Sequence, residues 1–442
     1  MRKWMLTIAS VAVTMAGLWT PAAAQDAEPP AAGAPEAEEL PKAERLFRDG
    51  KEALLTGEYE KAAGLLEQAV AEDDGKTSYR VYLARAYTYA GQDDKAEAQL
   101  RAVLKTTPDH VEAGQMLARL HAEREKWKEV REVLEPLLKY RHDYLTYHLL
   151  AEACRNLDDN RKAREYYEKA VELNPESAVD HYELANIYLA GNFFALASRS
   201  YERALELGAD SPALRYKLGS AYFNLRNYFG QIRRVEVTGG KPGTISEKWF
   251  LIEPVPGEKD TFRAAPSDSA IYQIALAMDE GLGDRPDIRF LRANIYLNAR
   301  RYAEAYEMLG KLEETIPDED RALYRFYHAQ AAFGIGKYEE YLALLEKAIE
   351  LDPAAYEASR VEAYLRVADQ HNQQGELDKY ITYLEKAMAE RPESAALHLK
   401  LGDAYAEQRK TDKAVRQWQI VLDLEPDHPQ RMDLLNRIAR HR

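Results

Sequence analysis

Small and aromatic residues recur along this chain in one pattern, with polar residues between them. In the stretch from Ala395 to Pro426, Gly402 is followed by Tyr405, Ala414 and Trp418. A similar order of a small residue, an apolar or aromatic residue and a second small residue returns nine more times, in most cases about every 34 residues. One match would carry little weight, but ten matches predict an array of internal repeats.

This pattern resembles the tetratricopeptide repeat, a helix–turn–helix unit of about 34 residues. His398 stands where family members often have Trp, and Trp418 stands where they often have Phe. Members carry a small residue at the eighth position, where the first helix of a repeat (helix A) lies against the second (helix B). Each of the ten positions here is Gly or Ala: Gly50, Ala84, Ala118, Ala151, Ala185, Gly219, Ala293, Ala329, Ala368 and Gly402.

The resemblance implies an all-α fold, a right-handed α-solenoid of about ten helical hairpins that bury their apolar faces against their neighbours. We predict repeats 1–5 and the first helix of repeat 6 over residues 42–225, and the rest of repeat 6 with repeats 7–10 over residues 268–428. Apolar residues at helical spacing after Pro429 predict a cap helix over residues 429–442.

An insertion interrupts the array at residues 226–267. Gly219 and Ala293 lie 74 residues apart where about 34 are expected, so about 40 residues have been added. The pattern becomes β-like over residues 231–237 and 246–255, which flank a Gly- and Pro-rich turn. We predict a β-hairpin here, with Ser267-Asp268 as the N-cap of the helix that follows.

The surroundings of this hairpin leave two interpretations open. An isolated hairpin is only marginally stable in water, so its apolar face needs something to rest on. It either packs on the array itself or contacts a partner through four aromatic residues, with Arg233 and Arg234 nearby. The four are Tyr228, Phe229, Trp249 and Phe250.

The N-terminus has the features of an export signal. Arg2-Lys3 precedes an apolar run from Trp4 to Trp19, and small residues precede Gln25. We predict a secretory signal peptide over residues 1–24 and a flexible Pro/Ala/Glu-rich linker over residues 25–41. The protein would then be periplasmic or secreted, with no transmembrane segment after cleavage. An uncleaved anchor is the alternative, although the apolar run is short for a span.

Charge narrows the choice of partners. The formal net charge is −14, and loss of Arg2 and Lys3 with the signal peptide would make it −16. Nucleic-acid partners require clustered Lys and Arg, so we predict no nucleic-acid binding. The acidic balance favours partner proteins or peptides with basic patches.

Residues for catalysis or for metal or cofactor binding do not form a recognisable motif. The sequence has no G-x-S-x-G, no P-loop and no H-E-x-x-H motif. His142 and His148, the nearest histidine pair, are six residues apart and do not share a helical face. The single cysteine, Cys154, falls at a helix-packing position. We predict a protein without cofactor, metal or enzymatic activity.

The resemblance also implies a binding surface. Helix A residues line the concave face in this family and usually bind extended peptides or helices. The matching positions in repeats 5, 6 and 7 are Tyr182, Asn186, Tyr216, Ser220, Phe223, Asn224, Phe290, Asn294 and Asn298. Amides there would bond a peptide backbone and aromatic rings would serve as anchors, unless each is an ordinary helix residue. A strip towards the N-terminus adds His148, Glu152, Arg155 and Asn156.

These observations favour a non-catalytic protein–protein interaction scaffold or adaptor of the bacterial cell envelope. Members of the family also serve in polysaccharide export and cell-wall assembly. An accessory factor that contacts glycan is therefore the alternative, and the many Tyr residues are compatible with sugar stacking. A hydrolase that uses the insertion would require a carboxylate pair in a cleft beneath the hairpin.

Overall fold

The structure is a computed structural model that describes residues 40–230, 233–236, 245–246, 250–254, 261–266, 268–283, 285–313 and 315–441. The signal peptide and all but the last two residues of the linker predicted above lie outside the described residues. The chain divides into two compact units, Met1–Thr107 and Pro108–Arg442. Each unit consists of helical hairpins in which helix A packs against helix B of the same repeat.

The first unit holds repeats 1 and 2, and the second holds repeats 3 to 10. The helices of the first unit are α1 (Lys42–Leu55), α2 (Tyr59–Glu72), α3 (Thr77–Tyr89) and α4 (Asp93–Thr106). The helices of the second unit are α5 (Val111–Glu123), α6 (Trp127–Leu134), α7 (Tyr144–Asn156), α8 (Asn160–Leu173), α9 (Ala178–Ala190), α10 (Phe194–Glu206), α11 (Pro212–Asn224), α12 (Ala270–Ala277), α13 (Pro286–Asn298), α14 (Tyr302–Leu312), α15 (Arg321–Gly334), α16 (Tyr338–Leu351), α17 (Pro353–Tyr356), α18 (Ser359–Gln373), α19 (Leu377–Glu390), α20 (Ala395–Glu407), α21 (Thr411–Leu424) and α22 (Arg431–His441).

The ten small residues that define the repeats are all buried, which confirms the close crossing of helix A and helix B. A Cβ atom added to Gly219 would lie 2.7 Å from Cδ1 of Ile274, and one added to Gly402 would lie 2.6 Å from Cδ1 of Trp418. Contacts this short are repulsive, so a methyl group at either glycine would require the Ile274 or Trp418 side chain to move. The repeat pattern therefore encodes how closely the paired helices approach each other.

Consecutive repeats are joined by a recurring hydrogen bond from a helix A tyrosine to a glutamate 20 residues earlier, on the preceding helix B. The Tyr188 hydroxyl donates to Glu168 at 2.8 Å, and the Tyr222 hydroxyl donates to Glu202 at 2.9 Å. The same bond joins Tyr87 to Glu67 and Tyr405 to Glu385. Burial and the nearby carboxylate raise the pKa of Tyr188 to about 12, so the hydroxyl keeps its proton and remains a donor.

Helix α22 follows the last repeat, where a cap helix is predicted. Its Leu434 and Ile438 are buried, and the helix packs on α21. Met432 and Leu435, which are part of the same apolar pattern, are exposed. Only part of the predicted apolar stripe is therefore covered.

The described residues of the insertion form a four-stranded antiparallel sheet, so the predicted two-stranded hairpin is wrong. The strands are β1 (Arg233–Glu236), β2 (Ile245–Ser246), β3 (Phe250–Pro254) and β4 (Thr261–Pro266), in the order β1-β4-β3-β2. The two segments predicted to pair with each other contribute β1 and β3. Strand β4 lies between them and pairs with both.

The sheet rests on repeat 6. Strands β3 and β4 contact α12, and Ala265 of β4 and Phe229 at the start of the insertion are buried. All eight residues of α12 are buried, whereas the equivalent helix of repeat 5, α10, buries only four of its thirteen. The residue at the N-cap of α12 is Ser269, not the predicted Ser267-Asp268. The sheet therefore lies over a helix face that would otherwise be in solvent.

No helix in the described ranges is both long enough and apolar enough to span a lipid bilayer.

Candidate functional site

The first helices of successive repeats in the second unit lie side by side. Helix α9 contacts α11, α11 contacts α13, and α13 contacts α15. Side-chain contacts described below continue the series to α7, α18 and α20. We call these seven helices the helix-A row. Nine of the candidate residues lie on α9, α11 and α13, so the fold brings candidates from three repeats onto neighbouring helices.

Tyr182 and Asn186 of α9 are joined to α11 by Lys217. The lysine ammonium donates to the Tyr182 hydroxyl at 2.8 Å and to Oδ1 of Asn186 at 2.7 Å. The Tyr201 hydroxyl donates to the same Asn186 oxygen at 2.7 Å, and the Asn186 amide NH₂ donates to Glu183 at 3.2 Å. The Asn186 amide is therefore hydrogen-bonded within the protein.

The candidates on α11 share one side of that helix. The Ser220 hydroxyl donates to the Tyr216 carbonyl at 2.9 Å, and the Asn224 amide donates to the Ser220 carbonyl at 2.8 Å. Burial raises the pKa of Tyr216. The Phe223 ring lies 5.6 Å from the ring of Tyr228, at the start of the insertion. The hydrogen bonds that the two polar candidates donate are made to their own helix.

Asn294 of α13 differs from the other amides of the row. Its side chain is 8% exposed, and Oδ1 has no hydrogen-bond partner in the described part of the chain. Asn298, one turn further on, donates to the Asn294 backbone carbonyl at 2.9 Å and not to Oδ1. A buried amide oxygen without a donor costs about 1–3 kcal/mol. The oxygen itself is buried, so a ligand would recover that energy only by moving neighbouring side chains until its donor reaches the atom.

Phe290 of α13 is part of an aromatic cluster across repeats 7 and 8. Its ring stacks on Tyr324 at a centroid distance of 4.1 Å and meets Tyr327 edge-on at 5.2 Å. The cluster continues through Phe326, which stacks on Tyr356 at 4.9 Å. These ring contacts hold Phe290 in place one helical turn before Asn294.

The candidates of the insertion are only partly placed. Arg233 and Arg234 belong to strand β1, and Phe250 begins strand β3. Trp249 lies outside the described residues. Their assignment to a partner surface stays a prediction.

A recurring cation of the helix-A row escaped the sequence analysis. It lies two residues before the small residue of helix A and contacts the residue just after the small residue of the preceding repeat. The three examples are Lys217–Asn186 at 2.7 Å, Arg366–Gln330 at 2.7 Å and Lys400–Asp369 at 3.9 Å. The signal, a Lys or Arg at this offset from the small residue, becomes visible only when the repeats are compared at equivalent positions.

The strip on α7 is bonded to α9. His148 Nδ1 lies 2.6 Å from an oxygen of the fully buried Asp180, and Arg155 pairs with Glu183 at 3.5 Å. Burial by itself lowers the pKa of His148, but the bond to Asp180 and its charge outweigh burial and raise it above the usual value. Burial by itself raises the pKa of Asp180, but the hydrogen bond to His148 and the charge of that histidine outweigh burial and lower it.

This pair predicts a pH dependence of stability. A raised histidine pKa stabilises the fold below about pH 6.5, and this contribution is lost as the pH rises through the folded-state pKa. The pair also needs an ionised Asp180, so its contribution to stability is lost again as the pH falls through the lowered Asp180 pKa. We expect His148→Gln to cost on the order of 1 kcal/mol at pH 6 and less at pH 8.

Thermal unfolding of both proteins at the two pH values measures the difference. Subtracting the variant from the wild type removes the contributions of the other histidines. An equal loss at both pH values would show that His148 acts as a neutral packing residue.

Cys154 is fully buried, which confirms its packing role. Burial raises the pKa of its thiol to about 11, so the reactive thiolate is scarce at neutral pH. Among the described residues, no three His, Cys, Asp or Glu side chains come together as metal ligands.

Comparison with known proteins agrees with the repeat pattern. Three family models, each described as a tetratricopeptide repeat, match residues 53–113, residues 144–177, and residues 182–229 with 368–429. No curated protein matches the chain.

Solved structures that are similar to parts of the chain include MamA and YrrB. MamA from Desulfovibrio magneticus RS-1 is 23% identical, covers 38% of this chain and 94% of its own, and has a TM-score of 0.35. YrrB, described as a TPR protein with an unusual peptide-binding site, is 18% identical, covers 52% of this chain and 93% of its own, and has a TM-score of 0.36.

Proposed function

Because this chain is a tetratricopeptide-repeat protein, we propose that it is a non-catalytic scaffold that binds partner proteins or peptides on its helix-A row. Helices of this row present amide and aromatic side chains from neighbouring repeats. An extended ligand that crosses them would meet the same kinds of group in each repeat. The inserted sheet would provide a second contact.

The unpaired oxygen of Asn294 carries this proposal. Asn186 and Gln330 occupy the equivalent positions in repeats 5 and 8, and each receives a hydrogen bond from a cation of the next repeat. The residue at the cation position after Asn294 is Tyr327, and no bond between the two is present. Because that oxygen is buried, a bound peptide would have to displace neighbouring side chains for its backbone N–H to supply the missing donor, with the Phe290 ring beside it.

The compartment proposed for this scaffold is the bacterial envelope. The support is the sequence pattern of residues 1–24, in which a positive start, an apolar run and small residues come before Gln25. N-terminal sequencing of the protein recovered from its native host tests this. We expect the mature chain to begin at Gln25, and a chain that retains residues 1–24 would mean an anchored protein.

Site-specific photocrosslinking tests the binding surface. A photoreactive amino acid replaces Asn298, which is exposed on α13, or, as the control, Glu307, which is exposed on helix B of the same repeat. We expect partner adducts from position 298 that disappear when Asn294 is also changed to leucine. Equal adducts from position 307 would place the binding surface elsewhere.

A second function, contact with glycan, is favoured by the aromatic cluster. Phe290, Phe326, Tyr327 and Tyr356 are each only partly buried, and sugars stack on exposed aromatic faces. Titration with soluble cell-wall oligosaccharides, read by tyrosine and tryptophan fluorescence, tests it. Saturable binding that Phe326→Ala abolishes would support glycan contact, whereas no binding to the wild type would exclude these glycans.

A further inference from the structure

The central helices of the row are cationic in a chain that is acidic overall. Helices α11, α13 and α15 together contain six Lys or Arg residues and a single carboxylate, Asp287, whereas the whole chain has a net charge of −14. Some of these cations are paired with carboxylates outside the row, as Arg325 is with Glu313 at 3.0 Å. The cations that have no carboxylate partner determine which chemical groups a ligand needs.

The recurring cation position separates paired from unpaired charges. In repeat 10, Lys400 lies against a carboxylate, Asp369, at 3.9 Å. In repeats 6 and 9 the same position lies against a neutral amide, so Lys217 and Arg366 receive a hydrogen-bond acceptor but no opposite charge. In the described ranges, neither forms an ion pair with a carboxylate.

Each of these two cations has donors to spare. An ammonium has three N–H donors, and Lys217 uses two of them, on Tyr182 and Asn186. Arg366 uses Nη1 on Gln330 and Tyr341, while its guanidinium lies over the Phe333 ring at 4.1 Å. Both side chains are partly exposed. The protein thus positions two cations and leaves some of their donors open.

We propose that Lys217 and Arg366 recognise carboxylates of an acidic peptide bound along the helix-A row. The proposal rests on the proposed function and specifies its ligand. It differs from the expectation of basic partners, because the net charge of the whole chain does not describe the charge along this row. Two single cations three repeats apart suit separate Glu or Asp side chains better than the continuous charge of a nucleic acid.

Peptide display with isosteric variants tests the proposal. Purified protein selects from a library of random dodecapeptides rich in Glu, Leu, Ala and Pro, and from a matched library with Gln in place of Glu. Lys217→Met and Gln330→Glu are the test variants, since the second supplies Arg366 with an internal carboxylate. Lys386→Met is the control, because this exposed lysine lies on α19, a helix B outside the row.

We expect the Glu library to be enriched, and we expect each test variant to bind the selected peptide about tenfold more weakly. The control should bind as the wild type does, and Asp369→Asn, which frees Lys400, should bind at least as tightly. Equal enrichment of the Gln library would overturn the carboxylate assignment and leave the proposed function standing. If neither library is enriched, or only an added single-stranded oligonucleotide binds, both proposals fail.

Discussion

Replacing Gly402 with alanine is expected to lower the free energy of unfolding by about 1–3 kcal/mol. The same change inside a helix usually raises it by about 0.5–1 kcal/mol, so the two expectations differ in sign. The new methyl group would lie 2.6 Å from the Trp418 ring. That ring is 1% exposed and its N–H donates to Asp403 at 2.9 Å, so it has little room to move away.

Thermal unfolding gives the overall effect, and hydrogen exchange of α20 and α21 shows whether the loss is local to repeat 10. Gly310→Ala is the matched control, because Gly310 is an exposed glycine inside α14 whose added Cβ would meet nothing closer than 3.5 Å. We expect the control to be stabilised and Trp418→Leu to relieve the clash in the double variant. Stabilisation of both single variants would show that the crossing has room for a methyl group.

Replacing residues 231–266 with a short Gly-Ser loop is expected to destabilise repeat 6 by about 2–5 kcal/mol and to promote aggregation. The loop itself can close, since the Ala270 amide donates to the Asn227 carbonyl at 3.0 Å at the base of the insertion. The cost comes from α12, which is buried on all sides and would lose the cover of the sheet. Light scattering and thermal unfolding measure the two effects.

A compensating variant distinguishes lost cover from a badly designed loop. Where α12 has Ala275 and Leu276, the equivalent positions of α10 have Glu202 and Arg203. Ala275→Glu with Leu276→Arg in the shortened chain would restore a polar outer face. We expect this variant to recover solubility. If it aggregates as strongly as the shortened parent, the sheet does not act as a cover for α12.

The repeat architecture was predictable because its determinants lie close together in sequence. Whether Gly402 or Ala185 can sit at a helix crossing depends on a neighbour in the same repeat, and all ten such residues are buried as predicted. The sheet was harder to predict, because its strands pair with residues that lie further away in the sequence. Strand β4, Thr261–Pro266, contains two adjacent alanines and a proline and lacks a clear alternation, so nothing local identifies it as the strand between β1 and β3.

The candidate site was predictable as a set of positions but not as a set of contacts. Asn186 and Asn294 occupy the same place in their repeats, and the sequence gives no reason to separate them. One is hydrogen-bonded to Lys217 from the next repeat, and the other has an unpaired oxygen. The difference depends on the residue found about 31–33 positions later in the next repeat, which matters only once the helices lie side by side.

The tyrosine–glutamate bonds between repeats have a consequence for protein engineering. Their spacing is 20 residues at each junction where they occur, so one repeat can follow another without a change of register. A chain with repeat 5 duplicated would offer the second copy of Tyr188 the Glu202 of the first copy. The residue 20 positions before Tyr296 is Leu276 and not a glutamate, so the junction after the insertion lacks this tyrosine–glutamate bond. Repeats 4 to 6 are therefore the natural place to lengthen this protein, and the boundary of repeats 6 and 7 is the place to leave intact.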